Sequence, residues 1–231
     1  AEIRVAPGAY KITTKPVTLR RGIKVVGSDN TTTAIERAPA STTRLFIMAH
    51  AGAELSNLTL RNGNWSKAGM AYGGAVWMLN GLIDRCIVTN NNVHGQPNQL
   101  GHGGAIYMSG GTVRNSLISR NSSGSSNSDS HGGGVYMSGG QIEHCTIVSN
   151  RVTKSAGLGG GVYQAGGTIV NTIAYYNWIA GAAVPVRNIQ AASGKLNVGN
   201  SCATELAYDP EGTGNINGDP QFVNPGKSDW R

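Results

Sequence analysis

The chain has 231 residues, 34 of them glycine, with 13% charged residues and a formal charge of +7. Glycine at about twice its average frequency, with abundant Asn, Ser and Thr, is a turn-rich β composition, and the length suffices to bury a sizeable core in one elongated domain over residues 1–231. No stretch approaches the roughly 18 consecutive apolar residues of a membrane span, and Ala1-Glu2-Ile3 lacks the basic start and apolar run of a secretory signal, so the sequence reads as a mature form or an excised fragment.

Residues 1–50 read as N-terminal coils or a cap. They hold eight Lys or Arg against three acids, while the rest of the chain is nearly balanced. This basic end is either a solvated face or a site of attraction to an anionic polymer such as an acidic polysaccharide or lipopolysaccharide, with Arg20, Arg21 and Lys24 as candidate contacts. Nucleic acid is not expected as a partner, because no nucleic-acid motif accompanies the charge.

Residues 51–180 contain regular repeats. GGAVWMLNGLIDRCIVTNN from Gly73, GGAIYMSGGTVRNSLISRN from Gly103, GGGVYMSGGQIEHCTIVSN from Gly132 and GGGVYQAGGTIVNTIAYYN from Gly159 align without gaps, at a nearly constant interval. In each, an aromatic residue (Trp77, Tyr107, Tyr136, Tyr163) precedes a small core residue (Cys86, Ser116, Cys145, Thr172) by nine positions. Apolar columns run through Ile83, Val113, Ile142 and Ile169, and through Val88, Ile118, Ile147 and Ala174. Short strands of period two with Gly-Gly corners and no helical period predict a single-stranded β-solenoid. Ala53–Leu60 supplies a coil before these four, and Cys202, one repeat interval beyond Thr172, marks a coil after them. The expected fold is all-β, a right-handed parallel β-helix of about seven to eight three-sided coils, roughly 35–40 Å long at ~4.8 Å per coil, its hand set by the chirality of parallel crossovers.

Asn91, Asn121, Asn150 and Asn177 mark one corner column, and Asn57, Asn115 and Asn171 a second. Both read as structural, since Asn tolerates left-handed backbone and stacked amides hydrogen-bond along the axis. Residues 181–231 are irregular, and hold Glu205, Asp209, Glu211 and Asp219.

GGAVW, GGAIY and GGGVY, each followed by Ile or Val-x-x-Asn, resemble the GGA[ILV] and FxxN repeats of polymorphic outer membrane proteins, passenger domains of bacterial autotransporter adhesins. Here Val88, Ile118, Ile147 or Ala174 stands in place of the Phe. The stretch Gly214–Pro225, then Asp229-Trp230-Arg231, is similar to the end of bacterial surface β-helices described as choice-of-anchor Q proteins, where a further Cys motif and an anchoring region normally follow. Ile3–Tyr10 and Arg21–Gly27 resemble the first coil of pectin-lyase-like β-helices. The resemblance implies a right-handed β-helix, a secreted or bacterial cell-surface setting and a truncated C-terminal part. It leaves function open, because lyases, glycosidases, adhesins and tailspikes share the fold.

A lyase of that superfamily would cluster Asp residues on adjacent coils for calcium beside a basic catalyst. Here Asp84, Arg114 and Glu143 alternate in one column, which reads as an outward ion-pair ladder. No adjacent-coil carboxylate pair suits a glycosidase either, and a site among the C-terminal acids is the remaining route to catalysis. His102 and His131, each five residues before a repeat aromatic, should stack about 5 Å apart. Without a third ligand they make a weak metal pair, and no cofactor is expected. His144 has no partner in register.

Alternation turns Trp77, Tyr107, Tyr136 and Tyr163 outward, one ring per coil. They either stabilise one another as sheet neighbours or offer a flat platform to sugar rings or a protein partner. Polar loops at roughly Asn92–Gly101, Ser122–Ser130 and Val152–Leu158 leave the solenoid beside this column. Cys86, Cys145 and Cys202 share an inward column two coils apart, too far to bridge, and read as free thiols. The favoured function is a non-catalytic, adhesin-like or carbohydrate-binding stalk whose partner is a polysaccharide or a host or neighbouring surface protein. The alternatives are a polysaccharide lyase or glycoside hydrolase, and a structural module that associates end to end.

Overall fold

Strands of three to five residues cannot stand alone, and each is held by lying in register on its equivalent one coil away. The computed structural model describes residues 1–69, 71–97, 99–126, 129–181, 187–208 and 214–224. It is an all-β parallel solenoid whose only described helical element is the 3-10 turn Thr204–Tyr208. A second sheet of seven strands, from Gly8–Ile12 to Ile173–Tyr175, marks six full turns. Isolated bridges from Ile173 to Cys202 and from Cys202 to Ile216 carry the stack further.

The first sheet has thirteen strands in two arms, joined through the long strands Phe46–Ser56 and Val76–Asp84. Alternation fails at the elbow, where Leu79 and Asn80 are both exposed before Gly81 at φ +112°. In later coils Gly111, Gly140 and Gly167 turn this corner at φ +79° to +87°. A Cβ on Gly111 would strike the Gly81 carbonyl and the Met78 methyl, so only glycine fits. Met48, Met78, Met108 and Met137 form a buried column beneath these glycines. Gln164 ends it, donating to Gly167 O and Asn197 O at 3.1 Å while accepting Asn197 N–H at 3.0 Å.

The predicted apolar columns are the core. Ile83, Val113, Ile142 and Ile169 pair in register on the first sheet, Val88, Ile118, Ile147 and Ala174 on the second, and all are fully buried. At roughly 1.5–3 kcal/mol per large aliphatic side chain, these columns outweigh the individual polar contacts.

The third sheet stacks Asn64–Trp65, Asn92–Gly95, Ser122–Ser125, Arg151–Val152 and Trp178–Ile179. Three of these strands fall in or against segments expected as loops, so the projecting parts begin later than the sequence suggested. Val93, Ser123 and Val152 point inward and are fully buried, and pairing with the coils above and below overrides the poor strand propensity of a run such as Ser122–Ser125.

The Asn91, Asn121, Asn150 and Asn177 column is a buried amide ladder extended by Asn188. Each Nδ2 donates to the next Oδ1 at 2.9–3.1 Å and back to a carbonyl of the preceding coil. Gly63 N–H closes one end at 2.7 Å, and Glu205 and Thr204 close the other, at 2.7 and 3.0 Å from Asn188. The left-handed residue is not the ladder Asn but the one before it: Asn90, Arg120, Ser149 and Tyr176 have φ of +52° to +57°. The second column is left-handed as expected, and it also includes Arg85, His144 and Asn200. His144 does have a partner there, Asn171, whose amide lies 3.2 Å from its Nε2.

Cys202 is one position out of its expected column. Ser201 is the residue that accepts Thr172 N–H, at 3.1 Å, as Ser116 accepts Cys86 N–H at 3.0 Å. All three cysteines are buried and free. Burial pushes Cys86 and Cys145 up to about 12.

Candidate functional site

Val76, Ile106, Val135 and Val162 are fully buried, so the next residue in each strand, Trp77, Tyr107, Tyr136 and Tyr163, faces outward, half-buried and in register. Tyr107 and Tyr136 have ring centroids 5.1 Å apart at 11°, and Tyr136 and Tyr163 are 5.2 Å apart at 36°. Two near-parallel rings lying side by side in one plane would need more than about 6 Å, because carbon atoms approach no closer than about 3.5 Å. Tyr107 and Tyr136 therefore overlap as an offset stack, and Tyr163 is tilted against Tyr136. The faces of Tyr107 and Tyr136 are turned to one another, and the Tyr107 hydroxyl lies on the exposed side, 3.4 Å from Ser138 Oγ. Of the two readings of this column, the flat platform is not formed, since a rise of ~4.8 Å per coil leaves no room for rings to lie flat along the axis.

A second column doubles the strip. Tyr72 bridges in register to His102, and His102 pairs with His131. Tyr72 stacks on Tyr107 at 4.0 Å and 7°, and meets Trp77 edge-on at 5.8 Å and 73°. His102 leans on Tyr136 at 4.4 Å, and His131 stacks on Tyr163 at 4.7 Å and 23°. Tyr72 stands five residues before Trp77, the offset that singled out the histidines, and that spacing was sufficient to find it.

The two imidazoles do come together, with centroids 5.7 Å apart. Their Nδ1 atoms are buried without a hydrogen-bond partner. Burial, then the neighbouring His131, holds His102 down to about 4. Burial also lowers His131, against the opposing pull of Asp129 and the Ser130 backbone. Both are thus neutral aromatic members of the strip at pH 7. Among the described residues no group of three metal-ligating side chains assembles around them or elsewhere.

The lower end of the strip rests on a buried cation that the sequence did not single out. Arg44, 1% exposed, places its guanidinium 3.9 Å from the Trp65 ring centroid and 5.3 Å from that of Trp77. Burial lowers its pKa to about 9, which leaves it charged at neutral pH. Trp77 is therefore committed to a cation–π contact on the inner side of the strip.

Of the basic candidates, Lys24 is bound to Glu54 at 2.9 Å, and that hydrogen bond raises its pKa. Arg20 and Arg21 are exposed at the corner. The Asp84–Arg114–Glu143 ladder closes on one rung only. Asp84 is buried and takes Arg114 and Arg85 at 3.2 Å and Asn115 at 2.9 Å, whereas Glu143 accepts from Gln141 at 2.7 Å. Glu205 caps the amide ladder and Asp219 accepts Gln221 N–H at 2.9 Å. Asp209 and Glu211 lie outside the described residues.

No family model, curated protein or solved structure matches the chain. Among the described residues no helix is long and apolar enough to cross a membrane.

Proposed function

We propose that the chain is a non-catalytic, adhesin-like β-helix stalk of a bacterial cell surface that binds polysaccharide along the aromatic strip. The observation that carries this reading is the double column of Tyr and His rings, in register over adjacent coils, with hydroxyl-bearing edges turned outward. Such an edge repeats once per coil and suits a polymer whose hydroxyls also repeat. Carboxylates already engaged support the non-catalytic part: Glu36, Glu54, Asp84, Glu143, Glu205 and Asp219 each have a structural partner. The resemblance of the Gly-Gly-Ala/Gly repeats to bacterial surface adhesins supports the setting.

The test is a glycan array followed by titration of the best ligand with the Tyr107→Phe/Tyr136→Phe variant. Phe preserves the stack and removes only the hydroxyls. We expect an unchanged circular dichroism spectrum and an affinity lowered about tenfold, the equivalent of one or two hydrogen bonds. An array on which nothing binds, or a ligand indifferent to both substitutions, refutes the assignment.

A further inference from the structure

Coil length changes along the chain, and a cleft lies where it does. On the second sheet Ala9 pairs with Ala34 and Ala34 with Thr59, two short coils of equal length. Thr59 then pairs with Ile87, and Ile87 with Leu117, each coil longer than the one before. The third sheet begins only at Asn64–Trp65, so the shorter coils beneath it have no strand on that side. The resulting ledge bounds a cleft of about 410 Å³, within the range of ligand pockets. Arg37 fixes one wall, donating through Nε to Asn62 O at 2.7 Å and through Nη1 to the carbonyls of Ala38, Pro39 and Ser41 at 2.6–2.8 Å.

The lining is rich in donors. Lys11, Arg37, Asn62, Asn64, Asn90 and Asn92 contribute to it, with Glu36 as its one acid. The Glu36 carboxylate is held by Arg61 at 2.7 Å, so it does not cancel the two lining cations. Asn92 Nδ2 donates to Asn64 Oδ1 at 3.0 Å, and Ser122 Oγ donates to Asn92 Oδ1 at 2.8 Å. Those bonds occupy amide oxygens and leave the Asn64 amide hydrogens for a ligand. Asn62 and Asn90 are exposed at left-handed corners, at φ +61° and +55°.

We infer that this cleft binds an anionic saccharide unit, its carboxylate or sulfate taken by Lys11 and its hydroxyls by the surrounding amides. The inference rests on the saccharide-binding reading above but concerns a separate site. A cation and surplus N–H donors select an anion, and planar amides suit the ring hydroxyls beside it.

The test titrates the full chain with three oligosaccharides of equal length: an oligo-uronate, a sulfated chain and a neutral glucan. The variants are Lys11→Gln and the double variant Asn62→Gly/Asn90→Gly, where glycine keeps the left-handed corners and removes only the amides. We expect at least one charged probe to bind about tenfold tighter than the neutral one, with Lys11→Gln erasing that margin. The double glycine variant should weaken the bound probe about fivefold at unchanged melting temperature. Whether uronate or sulfate binds tighter identifies the anion. Charged and neutral probes binding alike, or binding untouched by both variants, overturns the cleft. If Tyr107→Phe/Tyr136→Phe then abolishes that binding, the strip reading survives alone. No binding of these probes or of any arrayed glycan overturns both.

Discussion

Replacing Asn121 by Ala removes an interior rung of the buried amide ladder. Its Oδ1 accepts both Asn91 N–H at 2.9 Å and Asn91 Nδ2 at 3.0 Å, and its Nδ2 donates to Val88 O and Asn150 Oδ1, each at 2.9 Å. The substitution strands two buried donors of Asn91 and takes a donor from the Val88 carbonyl. At about 1–3 kcal/mol for each of the two stranded donors, the loss should be about 2–6 kcal/mol. Asn90→Gly, one residue before the neighbouring rung, exposed and left-handed at φ +55°, is the control and should cost under about 0.5 kcal/mol. Urea unfolding followed by circular dichroism measures both. Because a stack of coils can open locally, amide hydrogen exchange at Asn91, Asn121 and Asn150 should show where protection is lost. A loss below about 1 kcal/mol for Asn121→Ala, with exchange unchanged at Asn91, would show that water or neighbouring groups replace the rung and that the ladder is incidental to stability.

The lowered pKa values of His102 and His131 mean that the unfolded chain binds more protons than the fold below about 6.5, so stability is full above that value and falls as pH drops toward 4. His102 alone should contribute about 2 kcal/mol of loss between pH 7 and 5, and a His102→Phe variant that loses as much over that window would refute the assignment. The buried thiols, with Cys86 and Cys145 raised to about 12, should resist a thiol reagent at pH 8 in the native state and give three equivalents after denaturation without reductant. Fewer than three would reveal a bridge and an error in the coil register.

What could be read from the sequence was whatever repeats once per coil. The Tyr107–Tyr136 pairing, the amide ladder and the apolar columns needed only a constant offset from each Gly-Gly corner, and the structure has them in register. Cys202 was misplaced because its coil was taken one residue too long, while Thr172 pairs with Ser201. Asn200 was the available signal, since it precedes Ser201 as Asn171 precedes Thr172. Ring orientation was legible but missed: alternation says only that Tyr107 faces outward, and the ~4.8 Å coil rise, itself known for any stack of paired strands, leaves no room for its ring to lie flat. Arg44 was invisible for a different reason. It sits in an irregular crossing between sheets, and its two indole partners, Trp65 and Trp77, come together only when the coils close.

The same distinction bears on where such a molecule acts. Where each coil carries the same strands every outward position recurs, so the surface consists of ridges such as the Tyr107–Tyr136–Tyr163 edge, and a ridge can hold a polymer without selecting any one unit of it. A concavity forms where one coil lacks a strand that the next one carries. On this chain the third sheet begins only at Asn64–Trp65, and that step supplies the difference beside Asn64, at the basic end of the molecule. Ridge and cleft therefore impose different demands on a glycan. The ridge answers to repeat and length, the cleft to the charge and hydroxyl pattern of one unit. A ligand engaging both should lose affinity on shortening even when the unit in the cleft is kept, because linked contacts raise the effective concentration of the second one.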